Sequence, residues 1–533
     1  MNRRFFVPHI HNPIGGQRAV PLSIALFSPV LFVALLLILA PTSHADEPAY
    51  IRSPRLGITF ISSPEAPADE LRYQRALELG AGWDRFPIYW NHLETSAGFF
   101  DWTRLDHVVE ADLNHGLSID AILLGMPEFR RDGERIAGLH SPIFSDGTDT
   151  YREGKTINPD NYWAGFVFRV VSRYMPGGTL SHEMGWDDNV GIRVWEIWNE
   201  PDFALFWSAS IGDYARLLKV AYIVAHGVDA QAQVMFGGLL FNSEEGTNYL
   251  ARVLAIYEDD PFREDHNWYM DSVAVHNYNY AWRSGWLVRW VRETLRAYQL
   301  ERPIWLNETG APVWDDYPGP TWANEPDDHA LRVTQEQQAW FLIQSATYAW
   351  YEGADVIFFH QLYDDCGNQP PGTDFAPDDS QFGDAFGIYR NEANALCFSQ
   401  HPQPGSARPV AQSFQLLAQV FGTAPFRSVQ MLSEETDDAV IISFDLGIRQ
   451  VVVFWNRSLE NVKVDIPSGV GTAHLVSLTL NSPLTADTAS GYEIDLPAAI
   501  PDGFPFLNPG DVSGIGGPPY LLIEGQAPAL TGP

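Results

Sequence analysis

The chain of 533 residues has little cysteine and little positive charge. Its two cysteines, Cys366 and Cys397, fall in one long loop. A bridge between them would restrict that loop in the unfolded chain, and a pair of free thiols is the equal alternative. No His/Cys cluster has the spacing of a zinc site. Lys and Arg together number 33 against 67 Asp and Glu, a formal net charge of −34. Such a surface repels phosphates, which excludes nucleic acid as a natural partner and disfavours anionic lipid. No GxGxxG or GxxxxGK[ST] stands at the first strand–helix turn, which argues against nucleotide binding. No twelve-residue calcium loop occurs either, so Asp327-Asp328, Asp364-Asp365 and Asp378-Asp379 read as solvated acidic loops. Internal repeats are absent. What the chain does have is a globular balance, 45% hydrophobic and 19% charged, with 18 Trp and 21 Tyr. Flat side chains suit the apolar C–H faces of sugar rings, and they equally suit a large aromatic core.

The first 45 residues read as an export signal. Arg3, Arg4 and Arg18 precede any acid, an apolar run covers Val30 to Ala40, and Ser43-His44-Ala45 offers a cut after Ala45. An uncleaved anchor over Ile24 to Ala40 is the alternative. Both readings place the rest of the chain outside the cytoplasm, secreted or anchored, and signal removal leaves no membrane segment.

From Leu56 to Gly422 short apolar runs alternate with amphipathic stretches. The strand candidates are Leu56–Ile61, Trp83–Phe86, Ile119–Leu124, Val194–Trp198, Val234–Phe236, Ser272–His276, Pro303–Asn307 and Val356–His360. Each is apolar on both faces, as a buried parallel strand requires. Between them, Leu287, Val288, Val291 and Leu295 share one helical face. Another helix is expected from Thr334, its cap, to Glu352, with Gly353 just beyond, and a last one runs from Pro409 to Phe421. Eight such alternations close most simply as an α/β (β/α)8 TIM barrel. Beyond Gly422 the runs Val440–Asp445, Gln450–Trp455, Asn461–Ile466, Ala473–Leu480 and Tyr520–Glu524 have no helix between them and read as a small antiparallel β-sandwich. The division is therefore 1–45 signal, 46–425 barrel, 426–525 sandwich and 526–533 tail.

In such a barrel chemistry gathers where the strands end, at the C-terminal face. The fourth strand ends Trp198-Asn199-Glu200-Pro201 and the seventh ends Asn307-Glu308. Each sets a glutamate beside an asparagine on the same rim, on opposite sides of the mouth. Two facing carboxylates are what glycosidic cleavage needs, one to protonate the leaving oxygen and one to attack the anomeric carbon. Glu196, four residues before Glu200, points into the barrel on strand spacing and requires a basic partner such as Arg85.

These strand ends resemble the acid/base and nucleophile signatures of clan A glycoside hydrolases, most similarly family 39, the β-xylosidase-like family, with families 5 and 51 as neighbours. The resemblance spans Leu56 to Gly422 and extends to the sandwich. It implies retaining hydrolysis of a carbohydrate with no metal or organic cofactor, Glu200 being the acid/base and Glu308 the nucleophile. It also implies that Arg85 lies near the nucleophile and keeps it ionised, that His276 and Tyr278 orient it, and that Asn199 binds the sugar 2-hydroxyl. Two elements depart from the pattern, the first being the third strand, which ends Gly125-Met126-Pro127-Glu128 without the histidine seen in some relatives. Clan members commonly end the eighth strand with a Trp that floors the sugar site, whereas here the strand ends Phe358-Phe359-His360-Gln361-Leu362-Tyr363. Tyr363 and Trp314 are the candidate replacements. A carbohydrate-binding barrel without catalysis and a transglycosylase on the same scaffold are the competing readings.

Overall fold

The computed structural model describes residues 52–241, 248–278, 280–316, 332–364, 385–393, 402–434, 437–467, 469, 472–479, 481–485, 491–500 and 514–525. The 1–45 signal, Cys366, Cys397 and the 526–533 tail lie outside these residues.

Eight parallel strands close into a barrel in sequential order. They are β1 (Ser53–Thr59), β2 (Ala81–Tyr89), β3 (Ser118–Leu124), β4 (Val194–Ile197), β5 (Gln233–Leu239), β6 (Ser272–Tyr278), β7 (Ile304–Gly310) and β8 (Ile357–Phe359). Each is followed by a principal helix: α1 (Glu70–Leu79), α2 (Thr103–Asn114), α3 (Tyr162–Tyr174), α4 (Ile211–Val228), α5 (Tyr249–Glu258), α6 (Ala281–Ala297), α7 (Gln335–Tyr351) and α8 (Val410–Phe421). The expected barrel is thus observed, each strand within a few residues of its expected limits. Local chemistry fixes the helix ends. Thr334 and Gln337 form a reciprocal capping box at the start of α7, and Ser210 and Asp213 do the same for α4. Leu287, Val288, Val291 and Leu295 are all buried on α6.

The barrel interior has two layers that differ by two residues along each strand. The lower layer holds Trp83, Val194, Ala274, Trp305 and Phe358 in one apolar cluster with Met235. Gly57 belongs to it by its lack of a side chain, since a Cβ there would stand 2.3 Å from the Phe358 ring. Two residues further up, the same strands present Thr59, Arg85, Glu196, His276, Asn307 and His360. Strand alternation puts both sets on the inner face, and the change from apolar to polar marks the approach to the C-terminal rim.

After α8 come β9 (Ser428–Met431), β10 (Ala439–Asp445), β11 (Arg449–Asn456), β12 (Val462–Pro467), β13 (Thr472–Val476), β14 (Asn481–Thr485), β15 (Gly491–Leu496) and β16 (Tyr520–Gly525). They form a six-stranded antiparallel sheet, ordered β9-β10-β11-β16-β13-β14, and a two-stranded sheet, β12-β15. Phe454, Ile466, Tyr492 and Leu522 fill the space between the two sheets. Strands β9, β14 and β15 were not among the expected runs. β9 and β14 are edge strands, and Pro483 suits β14 to an edge because it cannot donate to a ladder. The larger sheet is fixed to the barrel by aromatic contact, Tyr348 against Trp455 and Trp350 against Phe444. Gln344 adds two hydrogen bonds, to Gly517 O at 2.8 Å and from Gly516 N at 2.9 Å.

Candidate active site

The site is built over a buried arginine. Arg85, fully inaccessible on β2, donates from Nε to Glu196 Oε2 at 2.8 Å and from Nη2 to Glu196 Oε1 at 3.1 Å. Asp120 Oδ2 on β3 is 3.7 Å from Nε. Asn307 donates to Glu196 Oε2 at 2.9 Å and to Asp120 Oδ2 at 3.2 Å, which closes a network under the rim. Glu196 therefore has the inward direction and the partner expected for it. Burial alone would weaken the guanidinium, but Glu196, Glu308 and Asp120 together hold its pKa above the ordinary value.

Glu308 sits directly above. The register of β7 against β6 shifts at Asn307, so that Val275 faces Leu306 while His276 faces Glu308. The extra residue lets Asn307 enter the network below while Glu308 turns to the mouth. Arg85 Nη1 lies 3.2 Å from Glu308 Oε1, and His276 Nδ1 lies 2.9 Å from Oε2. Tyr278 stands two residues further along β6, where burial and the charge of Glu308 hold its hydroxyl well above the ordinary phenol value. Burial pushes this carboxyl up, but His276, Arg85 and His360 outweigh it and hold its pKa well below the carboxylate range.

Glu200 reaches the same space by a different route. β4 ends at Ile197, and the chain leaves it through Trp198 at φ 67° and Glu200 at φ 44°. Such conformations cost a non-glycine residue about 1–3 kcal/mol each, and here surrounding contacts hold them. Trp198 Nε1 donates to Phe206 O at 2.8 Å, and His276 Nδ1 lies 2.8 Å from Glu200 Oε1. Burial raises the Glu200 carboxyl to about 7, with Glu308 adding to the rise and His276 opposing it.

His276 thus faces both carboxylates through one nitrogen. Burial would lower its pKa, but Glu308 and the hydrogen bonds to the two glutamates push it up to about 10. Its ring fits because β5 carries Gly238, where a Cβ would meet Nε2 at 1.9 Å. Atoms of Glu200, His276 and Glu308 lie within 4.8 Å of one another, a spacing that could also suit an ion. The imidazole lies between the two carboxylates, and Arg85 adds positive charge 3.2 Å from Glu308.

The remaining candidates divide. Asn199 is half-buried, and its Oδ1 accepts from Arg85 Nη2 at 3.1 Å, which orients its amide at the site edge. Trp314 is half-buried, with its backbone N–H bonded to Val333 O at 2.9 Å. Tyr363 is not at the cleft. Its side chain is buried under the guanidinium of Arg72, with its hydroxyl bonded to Arg75, so it cannot serve as a sugar platform. Asp364 also departs from expectation. It is buried, and Arg408 donates to its two oxygens at 2.8 and 2.6 Å, so it is a structural anchor rather than a solvated loop residue. Two site residues went unnoticed in the sequence, Asp120 and His360. His360 stands two positions above Phe358 of the apolar layer, which is the signal that would have found it, whereas Asp120 follows Ser118 and carries no such mark.

No protein-family model and no curated protein matches the sequence. Solved structures match in fold. A family 39 glycoside hydrolase from Bacteroides cellulosilyticus WH2 aligns with a TM-score of 0.56 at 16% identity, over 89% of this chain and 81% of that one. A GH39 β-xylosidase from Caulobacter crescentus aligns at 0.51 and 16%, over 89% and 97%. A GH39 enzyme from Xanthomonas axonopodis pv. citri aligns at 0.50 and 14%, over 88% and 93%. The chain shares the fold of these family 39 structures: a (β/α)8 barrel followed by a C-terminal β domain.

Proposed function

We propose that the chain is a retaining glycoside hydrolase acting outside the cytoplasm on an oligo- or polysaccharide. One observation carries the reading. Two buried carboxylates with atoms within 4.8 Å of each other are driven in opposite directions, Glu200 up to about 7 and Glu308 well down. Opposed acidities assign opposed roles. Retention is supported by the closeness of the pair, since inverting enzymes hold their carboxyls about 6.5–9.5 Å apart to admit a water. The likeness to family 39 structures supports the reaction class, and the export-type N-terminus supports the location.

In the first step a Glu308 oxygen bonds to the anomeric carbon while Glu200 delivers its proton to the departing oxygen. In the second, Glu200 takes a proton from water, water bonds to the anomeric carbon and the bond to Glu308 breaks. Arg85 and Tyr278 keep Glu308 in place, and Asn199 is positioned for the sugar 2-hydroxyl. None of these steps draws on a metal or organic cofactor. The test is an activity screen on aryl glycosides and polysaccharides with product anomers followed by NMR, alongside Glu308→Ala with and without azide. The expected results are net retention in the native enzyme and an azide-rescued product of inverted anomeric configuration. Sugar binding without turnover across the panel would point to a binding barrel instead, and transfer to added sugar in place of water would point to a transglycosylase.

A further inference from the structure

His360 is a polar rim residue that the proposed steps do not use. It follows β8 directly, and its backbone N–H donates to Thr309 O at 2.8 Å, beside Glu308. Its Nδ1 lies 2.9 Å from Thr59 Oγ1 and 3.6 Å from Glu308 Oε1. The ring is bracketed edge-on by Phe60, Tyr278 and Phe386, with centroids 5.9, 5.9 and 5.2 Å away. The bracket fixes the ring plane, and the side chain keeps 13% of its surface accessible. An ionised carboxylate only accepts, which favours a proton on Nδ1, and the threonine hydroxyl, able to donate or accept, can take that proton.

We infer that His360 is a positioning residue for Glu308: its Nδ1–H, seated on Thr59, sets positive potential against Oε1 and favours the free carboxylate over the glycosyl ester. The inference rests on the reading of Glu308 as nucleophile. Glu308 gives up its charge when its oxygen bonds to the anomeric carbon, and regains it when water takes that carbon and the bonding pair returns. A donor that favours the charged state therefore slows the first step and speeds the second. It also lets Glu308 stay ionised at lower pH. The other groups facing Glu308 are Arg85 from β2, His276 and Tyr278 from β6, and Glu200 from the loop after β4, with Tyr89 of β2 further off. All of them persist when His360 alone is changed.

Two variants of the full chain separate this role from a packing role. His360→Phe keeps a ring in the aromatic bracket and removes the N–H; His360→Gln keeps an N–H donor and loses the imidazole. The first readout needs no turnover: carboxyl carbon-13 NMR titration of Glu308, assigned with Glu308→Gln. The second is pre-steady-state kinetics on dinitrophenyl glycosides. In His360→Phe the Glu308 titration and the acid limb of kcat/KM should rise by about half to one pH unit, with a smaller rise in His360→Gln. The glycosyl-enzyme should accumulate and kcat fall by about three- to tenfold, while the burst itself is no slower. If Glu308 titrates as in the native chain in both variants, or if activity falls with the acid limb unmoved, the inference is wrong. Should His360→Phe fail to fold, His360→Gln decides. If the native chain cleaves no glycoside, the hydrolase reading fails, and the titration still decides whether His360 holds Glu308 in its charged form.

Discussion

The lower and upper layers of the barrel interior are one turn of strand alternation apart, yet they are built by opposite rules. Below, Trp83 meets Trp305 edge to face, 5.0 Å apart at 73°, and Trp305 stacks on Phe358 at 6.1 Å. Above, two residues on, Arg85, Glu196, Asp120 and Asn307 form a network in which nearly every contact is a charge or an amide. Burying the lower layer stabilises the fold directly. Burying the upper layer costs desolvation that its internal pairing must offset, and a buried ion pair gains little over an apolar replacement. What the upper layer provides is a fixed positive charge beneath Glu308 that, with His276, holds it ionised, while burial raises Glu200. Stability and chemistry are thus placed on the same strands, two residues apart.

Substitutions can break that comparison. The largest expected effect is Arg85→Met, which leaves Glu196 and Asp120 buried without their partner. Urea denaturation should show a loss of about 3–5 kcal/mol, and activity should vanish even where the variant folds. Trp305→Ala in the lower layer should cost about 3–4 kcal/mol by the same assay while leaving kcat within a few-fold of native. Equal damage to kcat in both variants would erase the distinction between the layers.

A third expectation concerns pH. Glu200 must be protonated to act as an acid, and burial raises it to about 7. The pH profile of kcat/KM should therefore fall above roughly pH 7, by about tenfold per unit, and Glu200→Gln should abolish that limb. The smallest expected effect comes from the outer face of β2. Asp84 accepts from the backbone of Ile61 and Ser62 at 3.0 and 2.9 Å, and it adjoins Asp112, which the Tyr73 hydroxyl contacts at 2.7 Å. Among the described residues no arginine side chain is hydrogen-bonded or ion-paired to either of them. Burial raises Asp84 to about 7, and burial together with Asp84 raises Asp112 well above its ordinary value. The folded chain then binds more protons than the unfolded one, so stability falls as pH climbs from about 4 through 7. Asp112→Asn should gain about 1–2 kcal/mol at pH 8 and nothing below pH 4 in thermal unfolding.

Much of this arrangement is legible in the sequence because it is local. A parallel strand buried on both faces writes a short apolar run, and its last residues fall on the rim. That locates Glu200, Glu308, Arg85 and the sixth-strand pair His276 and Tyr278. What failed depended on distant partners. Tyr363 lies close after β8 in sequence, but Arg72 and Arg75 on α1 draw it away from the cleft. Asp364 resembles any loop acid until Arg408, 44 residues later, encloses it. β15 was missed although Tyr492, Ile494 and Leu496 alternate inward along it, a signal present but short. The eighth-strand position was read as a vacancy for want of a Trp, when two-residue spacing from Phe358 already put His360 in the polar layer.

The central claim is that Glu308 attacks the sugar. Incubation with a panel of 2-deoxy-2-fluoroglycosyl fluorides, followed by proteolysis and peptide mass spectrometry, addresses it directly. The account predicts time-dependent inactivation with a single glycosyl adduct on Glu308, released slowly by water. Inactivation that places the adduct on Glu200 or another residue would contradict it, as would hydrolysis of ordinary substrates with inversion at the anomeric carbon.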